Sequence, residues 1–270
     1  MTSELTDAIG QTHPVAGPAA RIVSLVPSLT ELVIDLGLAG SLVGRTRFCV
    51  HPAPDVEGIA SVGGTKEIDM ESLLALKPTH VLVNVDENPK EMADAITAEG
   101  IHVVVTHPLR VVDNRALYRL IGGIFGAEAA ARALEAQFDA ALANLADGTR
   151  GQPQRDVLYL IWRKPWMTVA PDTYIADMLA LAGLISLDSG TDARYPEIAL
   201  DEELLAGVDL VLFSTEPFPF QQKHLDAFRT DFPKHGTKAR LIDAEMVSWY
   251  GSRAVRGLEY MVAFRRELHS

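Results

Sequence analysis

Residues 113–146 carry almost no strand signal, while the chain on either side alternates short apolar strands with helices. Asp113 can cap a first helix running to Gly122 or Phe125. A second fits Ala127 to Ala146, where Leu134, Phe138, Leu142 and Leu145 recur at helical spacing among Ala and charged residues. Twenty helical residues make a rod of about 30 Å. A rod fixes the separation of what it joins and permits only small closure, unlike a Gly/Ser linker. Asp147, Gly148, Gly151 and Pro153 then punctuate the chain.

The flanks supply the lobes. Arg21–Val26 reads as a buried strand stopped by Pro27. Ser28 or Thr30 can cap the helix that follows; Glu31 stands three after Ser28, the spacing of a capping box, and Gly37 ends the helix. A helix begins near Asp69 and runs to Leu76, His80–Val85 is a strand, Pro89–Glu99 a helix and Ile101–Val105 a strand. Beyond the rod come strands at Asp156–Trp162, Val208–Phe213 and Arg240–Ile242, and helices at Thr173–Leu181, Gln221–Thr230 and Ser252–Leu268. Short joins between strand and helix imply parallel sheets covered by helices. The expected fold is α/β, two Rossmann-like lobes with mostly parallel sheets joined by one long backbone helix, with a ligand cleft between the lobes. The expected division is a flexible tail over 1–20, an N-terminal lobe over 21–112, connecting helices over 113–150 and a C-terminal lobe over 151–270.

Charge and composition remove several function classes. A net charge of −12 without a basic run argues against nucleic acid or an anionic membrane as partner. The single cysteine, Cys49, rules out an intramolecular disulfide. The start MTSELTDAIGQTHPVAGPAA lacks a basic segment followed by an apolar run, so it reads as cytoplasmic, or as extracytoplasmic if a leader has been removed. No stretch reaches the ~18 apolar residues of a membrane span. The phosphate-loop, dinucleotide, zinc-protease and nucleophile-elbow motifs are missing.

Ligands of open parallel sheets bind beyond the carboxyl ends of the strands. Pro27 and Ser28 follow the first strand, and Asn84, Glu87 and Asn88 lie at the end of a later one, where Asn88 can also cap the next helix. In GRTRFCVHP stand Arg47, Phe48, Cys49 and His51. A thiol and an imidazole two residues apart can reach one borderline metal, and a metal already chelated needs a single axial ligand. The plainer reading makes Cys49 a small buried hydrophobe and His51 a loop residue. In SVGGTK, Gly63 and Gly64 let backbone approach a ligand beside Thr65, and Lys66 adds charge. Trp162, Trp166 and Trp249, all the tryptophans of the chain, fall at expected strand ends, with Glu216, Tyr250 and Arg253 nearby. Aromatic side chains there form walls for a large planar ligand.

Together, RIVSLVPSLTELVIDLG, TRFC and VGGTKEIDMESLLALKPTHVL resemble the helical-backbone metal-receptor class of substrate-binding proteins, which serves ABC importers of cobalamin, haem and ferric siderophores. The cobalamin-binding branch is the most similar, and the resemblance runs from about Arg21 to near the C-terminus. It implies reversible binding of a metal chelate, a corrinoid first and haem or a ferric siderophore next, with no required cofactor and no catalysis. In this class one acidic residue per lobe docks on the permease; Glu31 matches the first, Glu203 or Asp201 the second. Phe48, Trp162, Trp166, Trp249 and Tyr250 are the expected walls, His51 or Cys49 the axial ligand, and Arg253 or Lys66 the partner of anionic groups. A cytosolic carrier or sensor is the other role within this reading. A cytosolic enzyme reusing the cleft, with Cys49 as nucleophile and His51 or His107 as base, is the alternative.

Overall fold

A computed structural model of the chain describes residues 5–268, in two units. The first takes the chain up to 108 together with 112–138 and 250–253; the second takes 109–111, 139–249 and 254 onward.

The first unit contains β1 (Ile22–Ser24), α1 (Pro27–Asp35), β2 (Leu42–Arg45), α2 (Ala53–Val56), β3 (Ala60–Ser61), α3 (Met70–Ala75), β4 (His80–Asn84), α4 (Lys90–Ala98), β5 (His102–Thr106) and α5 (Asn114–Ile124). Its sheet is parallel, in the order β3-β2-β1-β4-β5. The chain leaves β1 toward one edge and returns to β4 on its other side. That reversal puts a crevice at the carboxyl ends of β1 and β4. All five residues of β4 are buried, as a strand covered on both faces requires. Gly44 in β2 admits the next layer: a Cβ there would meet Leu76 at 2.6 Å and Val23 at 3.0 Å.

Helix α6 (Glu128–Thr149) is the strand-free rod, extending three residues beyond the expected Ala146. Phe138 and Leu145 are fully buried and Leu134 and Leu142 half-buried, so the apolar spacing marks a real face.

The second unit comprises β6 (Arg155–Leu160), β7 (Trp162–Arg163), β8 (Trp166–Met167), α7 (Tyr174–Leu181), β9 (Leu184–Ser186), α8 (Glu202–Ala206), β10 (Leu210–Ser214), α9 (Gln222–Asp231), β11 (Ala239–Ile242), α10 (Ala244–Ser248) and α11 (Arg253–Glu267). Its parallel sheet runs β11-β10-β6-β9, with a reversal beside β6 and β10. Three short elements, β9, α8 and α10, have too few residues to show a period in the sequence.

Three local expectations are corrected. Residues 5–16 are not a loose tail. Asp7 is buried; its Oδ1 accepts from the Ile9 and Gln11 amides, and its Oδ2 from the Val105 amide while pairing with His13 Nε2 at 3.0 Å. With the Ala8 amide on the Val105 carbonyl, this segment covers the open edge at β5. At the head of α1 the Ser28–Glu31 capping box does not form. The cap position is Val26, without a side-chain bond, and Pro27 starts the helix. Asn88 does not cap α4, whose cap is Pro89; it accepts from the Asn84 amide and donates to the Thr65 carbonyl, tying the strand end to the glycine loop.

Candidate functional site

At the carboxyl end of the first sheet, Phe48 and Val85 are about half exposed and Val50 with them. Water-facing apolar side chains grouped past strand ends are what a binding rim requires. The Arg47 guanidinium lies over the Phe48 ring, 4.8 Å from its centroid. A Cβ on Gly64 would stand 3.2 Å from Arg47 Nη2 and 3.3 Å from the Phe48 ring, so glycine lets the loop close on both. Gly63 has φ +120°, and a Cβ there would meet the Glu67 carbonyl at 2.8 Å. The expected role of these glycines, close backbone approach, is thus used first within the protein, between the loop and Arg47–Phe48.

Beneath this surface lies a polar layer. Tyr250 donates to Glu87 Oε1 at 2.9 Å, and its pKa stands well above the ordinary value because of burial and then the Glu87 charge. Asn84 Oδ1 accepts from the Asp86 amide, and Lys66 Nζ donates to the Asp86 carbonyl at 2.8 Å. His107 Nε2 lies 3.4 Å from Asp86 Oδ1. Tyr118 donates to the Gly251 carbonyl and the Gly251 amide donates to Asn114, which fixes the short 250–253 segment in the first unit.

Four expected roles change here. Cys49 is fully buried, with its Sγ 3.1 Å from Thr46 Oγ1; burial pushes the thiol pKa up, so it is a core thiol and not a thiolate ligand or an activated nucleophile at the surface. His51 is half-buried in the loop, two residues away. Arg253 does not face an anionic ligand, and Glu31 does not face a docking partner. Their side chains are 4% and 1% exposed, and Arg253 Nε and Nη2 donate to Glu31 Oε2 and Oε1 at 2.6 and 2.9 Å. The spacing that suggested a cap was real; the carboxylate is consumed by a bidentate pair with a residue far along the chain. Tyr250 is 6% exposed and braces the rim from below instead of lining it. Ser28, Asn84 and Asn88 are likewise buried, whereas Pro27, Thr65, Lys66 and Glu87 keep some exposure.

The second sheet presents rings. Trp162 and Trp166 are not in a simple loop: they sit on the antiparallel hairpin β7–β8, because β6 ends at Leu160 and the chain turns back at once. Trp162, 39% exposed, meets Phe218 edge-on at 5.6 Å. Trp166 stacks on Phe220 at 6.1 Å with planes 5° apart. Trp249 Nε1 donates to Glu216 Oε2 at 3.3 Å. A cavity of about 560 Å³ opens at the carboxyl ends of β10 and β11, lined by Thr215, Glu216, Leu241, Ile242, Asp243, Glu245 and Tyr260. Asp243 caps α10, accepting from the Glu245 amide, and its own amide donates to Tyr260 Oη. Of these lining residues only Glu216 is among the sequence candidates. Asp243, Glu245 and Tyr260 arrive through the short helix α10 and the closing helix α11, which no motif marks. Phe218 and Val85 were also missed, though both adjoin segments singled out by position.

On the second unit, Asp201 caps α8 by accepting from the Leu204 amide, while Glu203 is exposed in its first turn. Among the described residues no group of three or more His, Cys, Asp and Glu is arranged to hold a metal ion, and no helix is long and apolar enough to cross a membrane.

The chain is 28% identical over 208 residues to a vitamin B12-binding protein of Yersinia pestis, covering 74% of this chain and 71% of that one. It is 23% identical over 222 residues to a vitamin B12-binding protein of Vibrio campbellii, covering 82% and 79%. Among solved structures, the periplasmic vitamin B12-binding protein of Vibrio cholerae superposes with a TM-score of 0.78 at 17% identity, over 94% of this chain and 99% of that one. A periplasmic haem-binding protein of Roseiflexus also gives 0.78, at 24% identity, over 92% and 98%. These likenesses agree on the two-unit α/β fold with its helical backbone. The model of the periplasmic binding protein family matches residues 22–236, and the chain belongs to that family of substrate-binding proteins.

Proposed function

We propose that the protein reversibly binds a metal chelate, a corrinoid first and haem or a ferric siderophore next, as the substrate-binding component of an ABC importer working outside the cytoplasm. The observation that carries this reading is the ring surface at the end of the second sheet, where Trp162 and Phe218 stand partly open; the cavity at the ends of β10 and β11 is large enough for part of a macrocycle. The relatives named for vitamin B12 support the corrinoid, and so does the lining. Glu216, Asp243 and Glu245 are acceptors, which suit the amide N–H groups around a corrin better than the carboxylates of haem. Glu203 remains the candidate for contact with a permease, since its carboxylate is exposed.

Titration with cobalamin, cobinamide, haem and ferric siderophores, followed by absorption and by thermal shift, tests the reading. A corrinoid is expected to bind and to raise the melting temperature, and Trp162→Ala to weaken it about tenfold, the equivalent of one lost ring contact. No spectral or thermal response to any of the four ends the chelate reading. A response to haem alone moves the ligand while keeping the mechanism of binding.

A further inference from the structure

Arg265, in the last turn of α11, is 1% exposed, yet its Nε and Nη1 are buried without a hydrogen-bond partner among the described residues. Among the described residues one bond holds the group, from Nη2 to the Pro153 carbonyl at 2.9 Å. A guanidinium does not escape burial by losing its proton as a lysine does. Its ionised state therefore has to be balanced where it stands. The neighbouring charge has the wrong sign: burial and then Arg155 lower the Arg265 pKa. Arg155 opens β6 and donates to the Leu268 carbonyl, one more neutral acceptor. The carbonyls ending α11 contribute about half a negative charge at most, against two guanidiniums. All of these residues belong to the second unit, at the amino end of β6, whereas the rim lies beyond its carboxyl end.

We propose that Arg265 and Arg155 form a binding site for a small inorganic anion, chloride or phosphate, which neutralises the pair and ties α11 to the start of β6. The site is independent of the chelate reading. An anion here fills the two free donors of Arg265 and shares the second guanidinium, the arrangement in which charge-assisted bonds are strongest. Bound to the folded state alone, it stabilises the protein by mass action.

The test is a thermal titration of the purified full chain with sodium chloride and, separately, sodium phosphate, each against sodium gluconate at constant ionic strength. The expected result is a saturable rise of roughly 2–4 °C with at least one of the small anions. Arg155→Gln and Arg265→Met should both lose the saturable component. If Arg265→Met does not fold, Arg155→Gln carries the comparison. Equal melting temperatures in all three salts overturn the proposal, as does a rise that both variants retain, because the salts would then be acting on the general surface.

Discussion

The two sheets hold their carboxyl ends by different chemistry. Under the first rim the contacts are polar and specific: Arg253 on Glu31, Tyr250 on Glu87, Asn88 bridging Asn84 and Thr65. Under the second they are rings: Phe213 meets Phe220 at 5.2 Å and Phe228 at 5.4 Å, with Trp166 stacked on Phe220. A polar layer fixes positions in one arrangement but fails when a partner is lost, since the survivor is left buried and unpaired. A ring cluster derives its strength from area and is indifferent to proton concentration. The first rim is thus expected to be the all-or-none one, the second the one that loses stability in proportion to volume.

The largest effect should come from the buried ion pair. Arg253→Met leaves the Glu31 carboxylate in a site that is 1% exposed, at a cost of about 3–5 kcal/mol in urea unfolding. Removing both charges, as Glu31→Leu with Arg253→Met, should recover most of that loss. A single variant costing under about 1 kcal/mol would break the contrast, because the first rim would then be held by packing like the second. Next, Phe213→Ala should cost about 3–4 kcal/mol by leaving a cavity in the ring cluster. Hydrogen exchange should rise in β10 and α9 while β4 and β5 stay protected; loss of protection in both sheets would mean that they unfold as one cooperative unit.

This contrast also explains what could be read from the sequence. The strand–helix alternation, the rod and the strand ends were legible because apolar period and Gly/Pro punctuation are local. Thr173 and Asp69 cap their helices as residue type suggests. That Trp162 and Trp166 follow the end of β6 was legible for the same reason. The polar layer of the first was not. Glu31 looked like part of a cap because a capping box needs only a spacing of three, whereas its partner Arg253 is brought to it by the fold. Cys49 beside His51 suggested a metal until the backbone turned the thiol inward. The segment 5–16 read as a tail because Asp7 works through backbone amides, which leave no mark in a pattern of side chains.

Each unit also holds a histidine whose pKa burial lowers, His80 in the first and His224 in the second. His80 heads β4 with its pKa lowered to about 4, by burial first and then by the charges of His102 and His13. It stacks on His102, meets Phe125 edge-on and bonds Thr79 through Nδ1 at 2.8 Å, while Asp7 pairs with His13 close by. A depressed histidine favours the neutral form when folded. The contribution is therefore fully present above the unfolded value near 6.5 and is lost as pH falls from there through about 4. The loss should be on the order of 2–3 kcal/mol, and His80→Gln should flatten it in denaturant unfolding between pH 7 and pH 4. The same slope in wild type and variant would assign the acid sensitivity elsewhere.

The smallest effect is the one that separates bracing from binding. Tyr250→Phe keeps the ring and removes the bond to Glu87, at a cost of about 0.5–1.5 kcal/mol. Because burial and Glu87 hold the phenol pKa well above its ordinary value, the hydroxyl stays protonated at neutral pH and acts as a donor, not as an anionic ligand. Chelate affinity in the variant should therefore fall less than about threefold, in contrast to the tenfold loss expected for Trp162→Ala. If Tyr250→Phe instead abolishes binding while stability barely changes, the hydroxyl touches the ligand and the polar layer of the first unit is itself part of the site, which would make the two rims alike in function although unlike in chemistry.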